Sequence, residues 1–246
     1  MSILLFIYAL LLGSFYNVVG LRVPVHKSIV KPRSACSNCH TVLSPAELIP
    51  VVSYFIQGGR CRHCKVRLSP IYPLGELLTG VLFVFAYRQF GLSLDAVIAW
   101  TLISLVMIIT VSDIAYMLIP DRILIVFAGL FIVERIADPL TPWWDSIIGA
   151  AAGFFLLLLI ALASKGGMGG GDIKLYAVLG FAMGVKAALL SFFFATLYGA
   201  AIGIIGLCLG VFKRKKPIPF GPFIGLGALT SFFFYQKIID WYLSLF

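Results

Sequence analysis

Residues 94–113 read LDAVIAWTLISLVMIITVSD. Its only charged residue before the final aspartate is Asp95, next to the start. As a helix, roughly 20 apolar residues cross the roughly 30 Å hydrocarbon core of a bilayer. The stretch therefore predicts a membrane-spanning helix near residues 94–112, and Asp113 ends its apolar run.

The composition of the 246 residues extends this interpretation to the whole chain. Hydrophobic residues make up 61% and charged residues 12%, and the mean hydropathy is +1.05. Soluble domains average about 45–50% apolar and about 25% charged residues. These values exclude an ordinary soluble domain, a disordered chain, a collagen-like repeat and a secreted disulfide scaffold. They predict an all-α polytopic membrane protein.

Seven further apolar stretches bring the number of predicted transmembrane helices to eight. The first lacks a basic N-terminal region, so we interpret it as a retained helix and not as a signal peptide. The stretch 173–185 is short and is expected either to cross only part of the bilayer or to be completed by the glycine-rich segment before it. The predicted spans are 2–20, 72–90, 94–112, 122–137, 144–163, 173–185, 187–211 and 221–245.

The polar segment 21–71 sets the predicted orientation. It contains eight Lys and Arg residues and one acid, Glu47, and the positive-inside rule places such a loop in the cytoplasm. The N-terminus is then outside, and the net charge of +9 reflects orientation and lipid contact, with no nucleic acid expected as a partner. The same threading puts these cations on the inside: Arg122, Lys165, Lys174 and Lys213-Arg214-Lys215-Lys216. We predict a helix (1–20), a cytoplasmic loop (21–71) and a transmembrane bundle (72–246).

Two cysteine pairs lie in the cytoplasmic loop. Cys36 and Cys39 form one CxxC, Cys61 and Cys64 the other, and 21 residues separate the pairs. This spacing is just beyond that of zinc ribbons, and four thiolates would close a structural tetrahedral site. Disulfides and a redox CxxC are the alternatives, although a reducing cytoplasm disfavours disulfides. We favour a zinc-ribbon-like insertion.

Ten carboxylates are few enough to compare one by one. Glu47 in the loop and the acids near outer ends of spans are expected to be solvated interfacial charges. Glu76, one turn into a helix, fits a structural role at a helix N-terminus and a functional role facing the cysteine loop equally well. Asp113 and Asp172 differ, because both fall at cytoplasmic ends of predicted spans. Ionisable groups there usually face a wet cavity or a partner, and two facing carboxylates can share one proton around a water, as in aspartic proteases.

The sequence around these two aspartates adds two expectations. Five glycines occupy six positions in 166–171, which predicts a flexible or extended loop where a peptide backbone could approach closely. A phosphate-binding loop is disfavoured because an acid follows the glycines in place of Gly-Lys-Ser/Thr. Asp121 follows a proline and opens a helix, so we expect it to be an N-cap and favour Asp113 as the chemical acid.

Taken in order, the motifs resemble those of the type IV prepilin peptidases. They are Gly13-Ser14-Phe15-Tyr16-Asn17, the double CxxC, Pro73-Leu74-Gly75-Glu76-Leu77, Asp113 through Ile119-Pro120-Asp121, and Gly169-Gly170-Gly171-Asp172. The last is similar to the GxGD pattern of intramembrane aspartyl proteases. The resemblance covers nearly the whole chain.

The resemblance implies two activities. Asp113 and Asp172 would cleave a short basic leader from membrane-anchored prepilins or pseudopilins at the cytoplasmic membrane face, in piliation, type II secretion or competence. The new N-terminus would then be methylated from S-adenosylmethionine, an activity associated with the cysteine loop, and Gly59 and Glu76 are the candidate residues. Two other functions stay open: an ion-coupled transporter, and a non-catalytic assembly factor that docks through a zinc loop.

Overall fold

A computed structural model describes residues 1–164, 167–210 and 218–244. Lys165, Gly166 and the basic run Lys213–Lys216, which figure in the predictions above, lie outside the described residues, as do the predicted span ends at 211 and 245. The described part is all-helical, with isolated β-bridges in place of strands, so the predicted fold class is confirmed. Its helices are α1 (Ser2–Arg22), α2 (Val52–Ile56), α3 (Ile71–Phe90), α4 (Leu94–Tyr116), α5 (Asp121–Ala137), α6 (Asp145–Ala163), α7 (Gly170–Met183), α8 (Val185–Cys208) and α9 (Gly221–Leu243).

Eight of these helices coincide with the eight predicted spans, and α2 is a short helix in the loop. Five helices of the described part, α1, α3, α4, α6 and α8, are long and apolar enough to cross a membrane. Helices α5 and α7 are shorter, with 17 and 14 residues. At 1.5 Å per residue, a helix as short as α7 covers only part of a bilayer.

Helix α4 is the centre of the bundle. It packs against α1, α3, α5 and α9, and most of its side chains from Leu102 to Asp113 are buried. The helix continues for about one turn beyond the apolar run, so that Asp113 lies within its last turn and Met117 closes it in the left-handed conformation. This places Asp113 inside the bundle and not at a helix end in solvent.

The glycine segment differs from the prediction. Helix α7 begins at Gly170, so the expectation of a loop through Gly171 was wrong. A Cβ on Gly171 would lie 2.8 Å from Cβ of Ile119. The absence of a side chain therefore lets the first turn of α7 pack directly against the segment that joins α4 to α5.

Helices α6 and α7 form a closely packed pair. Small residues allow close contact between α6 and α7, where the backbones of Gly149 and Gly180 touch and a methyl group on either would overlap the other helix, as is common in membrane helix pairs.

The Tyr116 hydroxyl at the end of α4 donates a 3.0 Å hydrogen bond to the carbonyl of Leu21 at the end of α1. The same end of the bundle carries the cysteine loop and the first turns of α5, α7 and α9.

Candidate functional sites

Asp113 is held by the first turn of α9. Its side chain is buried, and Oδ2 accepts a 2.7 Å hydrogen bond from the backbone N–H of Gly221. A helix N-terminus carries partial positive charge, which favours a carboxylate there. A Cβ on Gly221 would lie 2.9 Å from the same oxygen, so glycine is what allows α9 to approach Asp113 this closely.

Asp172 meets Asp113 at one cavity. Asp172 is the third residue of α7 and is half-buried. A cavity of about 250 Å³ is lined by both carboxylates, which come from opposite halves of the chain. Its walls are the short segments Met117–Ile119 and Gly169–Gly171, together with Asp121. We call this space the aspartate cavity. The two aspartates singled out in the sequence therefore line the same cavity.

Asp121 does not cap α5. The N-cap is Pro120, with no side-chain cap hydrogen bond, so this prediction was wrong. Instead Lys174 Nζ donates to both carboxylate oxygens of Asp121, at 2.9 and 2.7 Å. Proline at the N-cap fixes the entry into the helix, and the Asp121 side chain turns across to α7. Sequence reasoning placed Lys174 among the inside cations but did not predict its ion pair with Asp121, because the two residues lie on different helices.

The cysteine loop folds as two matching turns. The N–H of Cys36 donates to the carbonyl of Thr41, and the N–H of Cys61 donates to the carbonyl of Val66. Each turn is closed by an antiparallel bridge, Ala35 with Val42 and Arg60 with Arg67. Four residues after the first cysteine of each pair, the backbone takes the left-handed conformation, at His40 and at Lys65. Both CxxC pairs thus present their thiols in the same way.

The four thiols converge. The Sγ atoms of Cys36, Cys39, Cys61 and Cys64 all lie within 4.8 Å of one another. The distances are 3.7 Å from Cys36 to Cys64 and 4.0 Å from Cys39 to Cys61. Zn–S bonds of about 2.3 Å in a tetrahedron place sulfurs about 3.8 Å apart. All four are free thiols, and this donor set fits a tetrahedral zinc ion.

Local hydrogen bonds favour the thiolate at Cys39 and Cys64, whereas burial and the neighbouring thiols raise the pKa of Cys36. The backbone N–H of Val66, followed by the side chain of Asn38, lowers the pKa of the Cys64 thiol to about 6. The Thr41 hydroxyl and backbone lower the pKa of Cys39. Since metals bind the deprotonated thiol, the fold favours the metal-binding form at Cys39 and Cys64.

Glu76 lines a second cavity, of about 360 Å³, between the cysteine loop and helices α1 and α3. Its side chain is buried and accepts a 2.7 Å hydrogen bond from the N–H of Val51. Asn17 of α1 lines the same cavity and donates to the carbonyl of Tyr72 at 3.2 Å. Cys36 and Cys61 reach its wall. We call this space the loop cavity.

Gly59 lies next to Tyr54, outside the lining of the loop cavity. It has a φ of +66°, and a Cβ there would lie 2.9 Å from the Tyr54 hydroxyl. Tyr54 lines the cavity, whereas Gly59 is absent from its lining. The structure therefore brings Glu76 to the cavity directly and connects Gly59 to it only through the tyrosine ring.

Glu47 is not the solvated charge that the sequence suggested. Its side chain is only 6% exposed and lies 3.7 Å from His63. The backbone N–H and the hydroxyl of Ser44 both donate to Oε2, and the pKa of Glu47 is lowered, first by the backbone bond. Its other oxygen is buried without a hydrogen-bond partner, and the residue lines the loop cavity.

The structure is that of a helical membrane protein in which two carboxylates line one cavity and a four-cysteine module lies at the same end of the bundle. Residues 7–90 match the bacterial peptidase A24 N-terminal domain, and residues 100–204 match the type IV leader peptidase family. The chain belongs to this leader peptidase family.

Three relatives named prepilin leader peptidase/N-methyltransferase cover nearly the full length. The protein of Bacillus subtilis is 45% identical, with 98% of each chain covered. The protein of Aeromonas salmonicida strain A449 is 31% identical over 98% of this chain and 93% of its own. The protein of Pseudomonas aeruginosa is 30% identical over 96% and 91%. No solved structure matches the chain.

Proposed function

We propose that this chain removes the short basic leader of type IV prepilin-like membrane proteins, using Asp113 and Asp172 as its catalytic pair. Its relatives carry the name prepilin leader peptidase/N-methyltransferase, and the family is one of leader peptidases. The observation that carries the residue assignment is the aspartate cavity, which both carboxylates line.

In this mechanism the pair shares one proton. The ionised carboxylate takes a proton from a water molecule, whose oxygen attacks the carbonyl carbon of the scissile amide. The protonated carboxyl gives its proton to the leaving nitrogen as the C–N bond breaks, and the pair is returned to its starting state. The Gly221 N–H fixes one oxygen of Asp113, so the reacting oxygens are oriented before substrate arrives.

The glycines beside Asp172 suit a peptide substrate. Gly169 precedes α7 in extended conformation, and a peptide backbone could lie alongside a segment without side chains. Asp121 also lines the cavity, with its carboxylate paired to Lys174. A basic leader would be attracted to these carboxylates.

The proposed location is the cytoplasmic face of the cell membrane, with the N-terminus of the chain outside. The aspartate cavity and the cysteine loop share one end of the bundle, and the loop carries eight Lys and Arg residues. By the positive-inside rule, this end faces the cytoplasm. The division into helix 1–20, loop 21–71 and peptidase bundle 72–246 is part of the same proposal.

The second proposed activity is N-methylation of the newly exposed terminus, with S-adenosylmethionine as the methyl donor. The loop cavity is of suitable size for a small-molecule cofactor, and its acids Glu47 and Glu76 could hold the cationic and hydroxyl groups of the donor. The buried Oε1 of Glu47 has no hydrogen-bond partner, with His63 3.7 Å away, and a ligand would satisfy such a group. Gly59 would act by keeping Tyr54 in place. Zinc held by the four cysteines would shape the wall of this cavity and leave no open coordination position.

One assay separates the two activities. Purified protein is incubated with a prepilin-like peptide, with and without S-adenosylmethionine, and mass spectrometry reports leader loss and the methyl increment. We expect leader loss in both samples and methylation only with the cofactor. Intact peptide in both samples would reject the peptidase. If replacing the cysteines abolishes function and replacing either aspartate does not, the result would favour the non-catalytic assembly factor that docks through a zinc loop.

Glu76→Gln tests the cofactor site. We expect weaker binding of S-adenosylmethionine in calorimetry and unchanged leader cleavage, because the loop cavity and the aspartate cavity are separate. Asp95→Gln, at the opposite end of the bundle, is the control. Unchanged binding in Glu76→Gln would remove this residue from the cofactor site.

A further inference from the structure

A third cavity, of about 740 Å³, forms a groove along α4 between α1 and α5. It is larger than the aspartate cavity or the loop cavity, and neither proposed activity uses it. Its walls run from Leu12 to Val19 on α1 with Val23 just beyond the helix, from Val97 to Ile108 on α4 and from Arg122 to Leu130 on α5. We call it the α4 groove.

The shape of the α4 groove suits a helix. Each wall contributes side chains three or four residues apart, which share one face of a helix. The eleven residue steps from Leu12 to Val23 correspond to roughly 16 Å at 1.5 Å per residue. Val126 and Leu130 on α5 line the groove and are 60% and 45% exposed. An apolar helix laid here would cover apolar faces on three sides.

The polar groups at the floor of the groove are already paired. The Ser104 hydroxyl donates to the carbonyl of Trp100, so the Tyr16 hydroxyl donates to Ser104, both at 2.6 Å. The Trp100 indole N–H donates to the carbonyl of Phe83 at 3.0 Å. A polar occupant would find these groups engaged, whereas an apolar occupant leaves them undisturbed.

Charged residues at one end of the α4 groove indicate how a bound substrate would be oriented. Lys27 and Arg122 lie at the end where α5 begins. The residue next to Arg122 is Asp121, which lines the aspartate cavity. The two spaces therefore adjoin across the start of α5, with cations on one side and carboxylates on the other. A chain with an apolar segment and a cationic leader would place the first in the groove and the second over the aspartates.

We infer that the α4 groove binds the apolar membrane segment of the substrate and thereby delivers the scissile amide to Asp113 and Asp172. This inference rests on the proposed function, because the occupant is the membrane-anchored substrate itself. It assigns substrate selection to residues of α1, α4 and α5 that do no chemistry. A phospholipid chain is the competing occupant.

Two substrates and one matched pair of variants test this inference. One substrate is a full-length membrane-anchored prepilin-like protein in vesicles, and the other is a soluble peptide with the same leader and cleavage site but no apolar segment. Val126→Trp fills the groove. Ile125→Trp is the control, because Ile125 is 71% exposed on the same helix and is absent from the groove lining.

The readout is the ratio of kcat/KM for the two substrates. We expect Val126→Trp to lower the ratio of membrane to soluble substrate by at least about tenfold, as for loss of a well-packed interface residue, and Ile125→Trp to leave it unchanged. An unchanged ratio in Val126→Trp would overturn the inference. Failure of the unaltered protein to cleave either substrate would instead reject the proposed function.

A photo-crosslink gives an independent measurement that does not depend on activity. Benzoylphenylalanine replaces Val126 or Ile125 in a chain that also carries Asp172→Asn, and the protein is irradiated in vesicles with the membrane substrate. We expect a substrate adduct from position 126 and none from position 125. Adducts at position 126 with lipid alone would show that lipid occupies the groove and would refute the inference.

Discussion

The Gly221 N–H and the Asp113 carboxylate form a 2.7 Å hydrogen bond between the first turn of α9 and the last turn of α4. The contact joins two helices that are far apart in the sequence, and a side chain at residue 221 would collide with the carboxylate. Asp113 is therefore positioned by a backbone group, and its orientation depends on how closely α9 packs against α4.

We predict that Gly221→Ala slows leader cleavage by at least about tenfold, because a small misplacement of a reacting group is costly. The added methyl would lie 2.9 Å from Oδ2, and either Asp113 or α9 must move. Steady-state cleavage of the peptide measures the effect. Gly129→Ala is the control, since a Cβ there meets nothing within 4 Å, and a similar loss in that variant would point to general helix destabilisation.

The second prediction concerns replacement of either catalytic aspartate by asparagine. Asp113→Asn or Asp172→Asn should abolish cleavage while the protein still inserts in the membrane, because an amide can neither accept nor give the required proton. Methylation of a peptide supplied already cleaved should continue in both variants. Mass spectrometry measures both reactions. Retained cleavage in either variant would refute the assignment of that residue.

Lys174 should modulate the binding of a basic leader. Lys174 neutralises Asp121, and both partners are more than half exposed, so the pair adds less than about 1 kcal/mol to stability. Lys174→Met leaves the aspartate cavity more negative. We expect a lower KM for a cationic leader at low salt and a smaller difference at high salt, because screening weakens exposed charges.

A peptide with an uncharged leader is the control for the Lys174→Met prediction. A peptide whose leader lysines are replaced by glutamine should show the same KM with Lys174→Met as with the unaltered chain. A thermal melt should differ little between the two proteins. An equal change in KM for both peptides would mean that Lys174 acts on the shape of the cavity and not through its charge.

Metal removal should unfold the cysteine loop and leave the bundle intact. We expect about one zinc per chain, because four thiolates complete one tetrahedron, and Cys61→Ser should lose it. Hydrogen exchange should then accelerate at the amides of Cys36 and Cys61, which are bonded to Thr41 and Val66. Cys208→Ser is the control, since Cys208 is exposed on α8, away from the cluster. A protected loop without metal would contradict a structural zinc.

Several features could be predicted because they depend on neighbouring residues. The apolar runs predicted the positions of eight helices, and the repeated CxxC predicted a cluster that the structure assembles. Three expectations failed. Asp121 was expected to cap its helix but pairs with Lys174 on another helix, and Gly170 was expected in a loop but begins α7. Glu47 was expected in solvent, but its side chain is buried, bonded to the nearby Ser44 and close to His63.

The sequence by itself determined the membrane class, the helix positions, the four converging cysteines and the two aspartates worth testing, because span length and turn geometry follow from residues close in the chain. Tertiary structure alone decided that Gly221 orients Asp113, that Lys174 binds Asp121, that Glu47 is buried and that a groove opens along α4. Each of these depends on the rotation and spacing of packed helices. Helix rotation and spacing are set by side chains that meet only after folding.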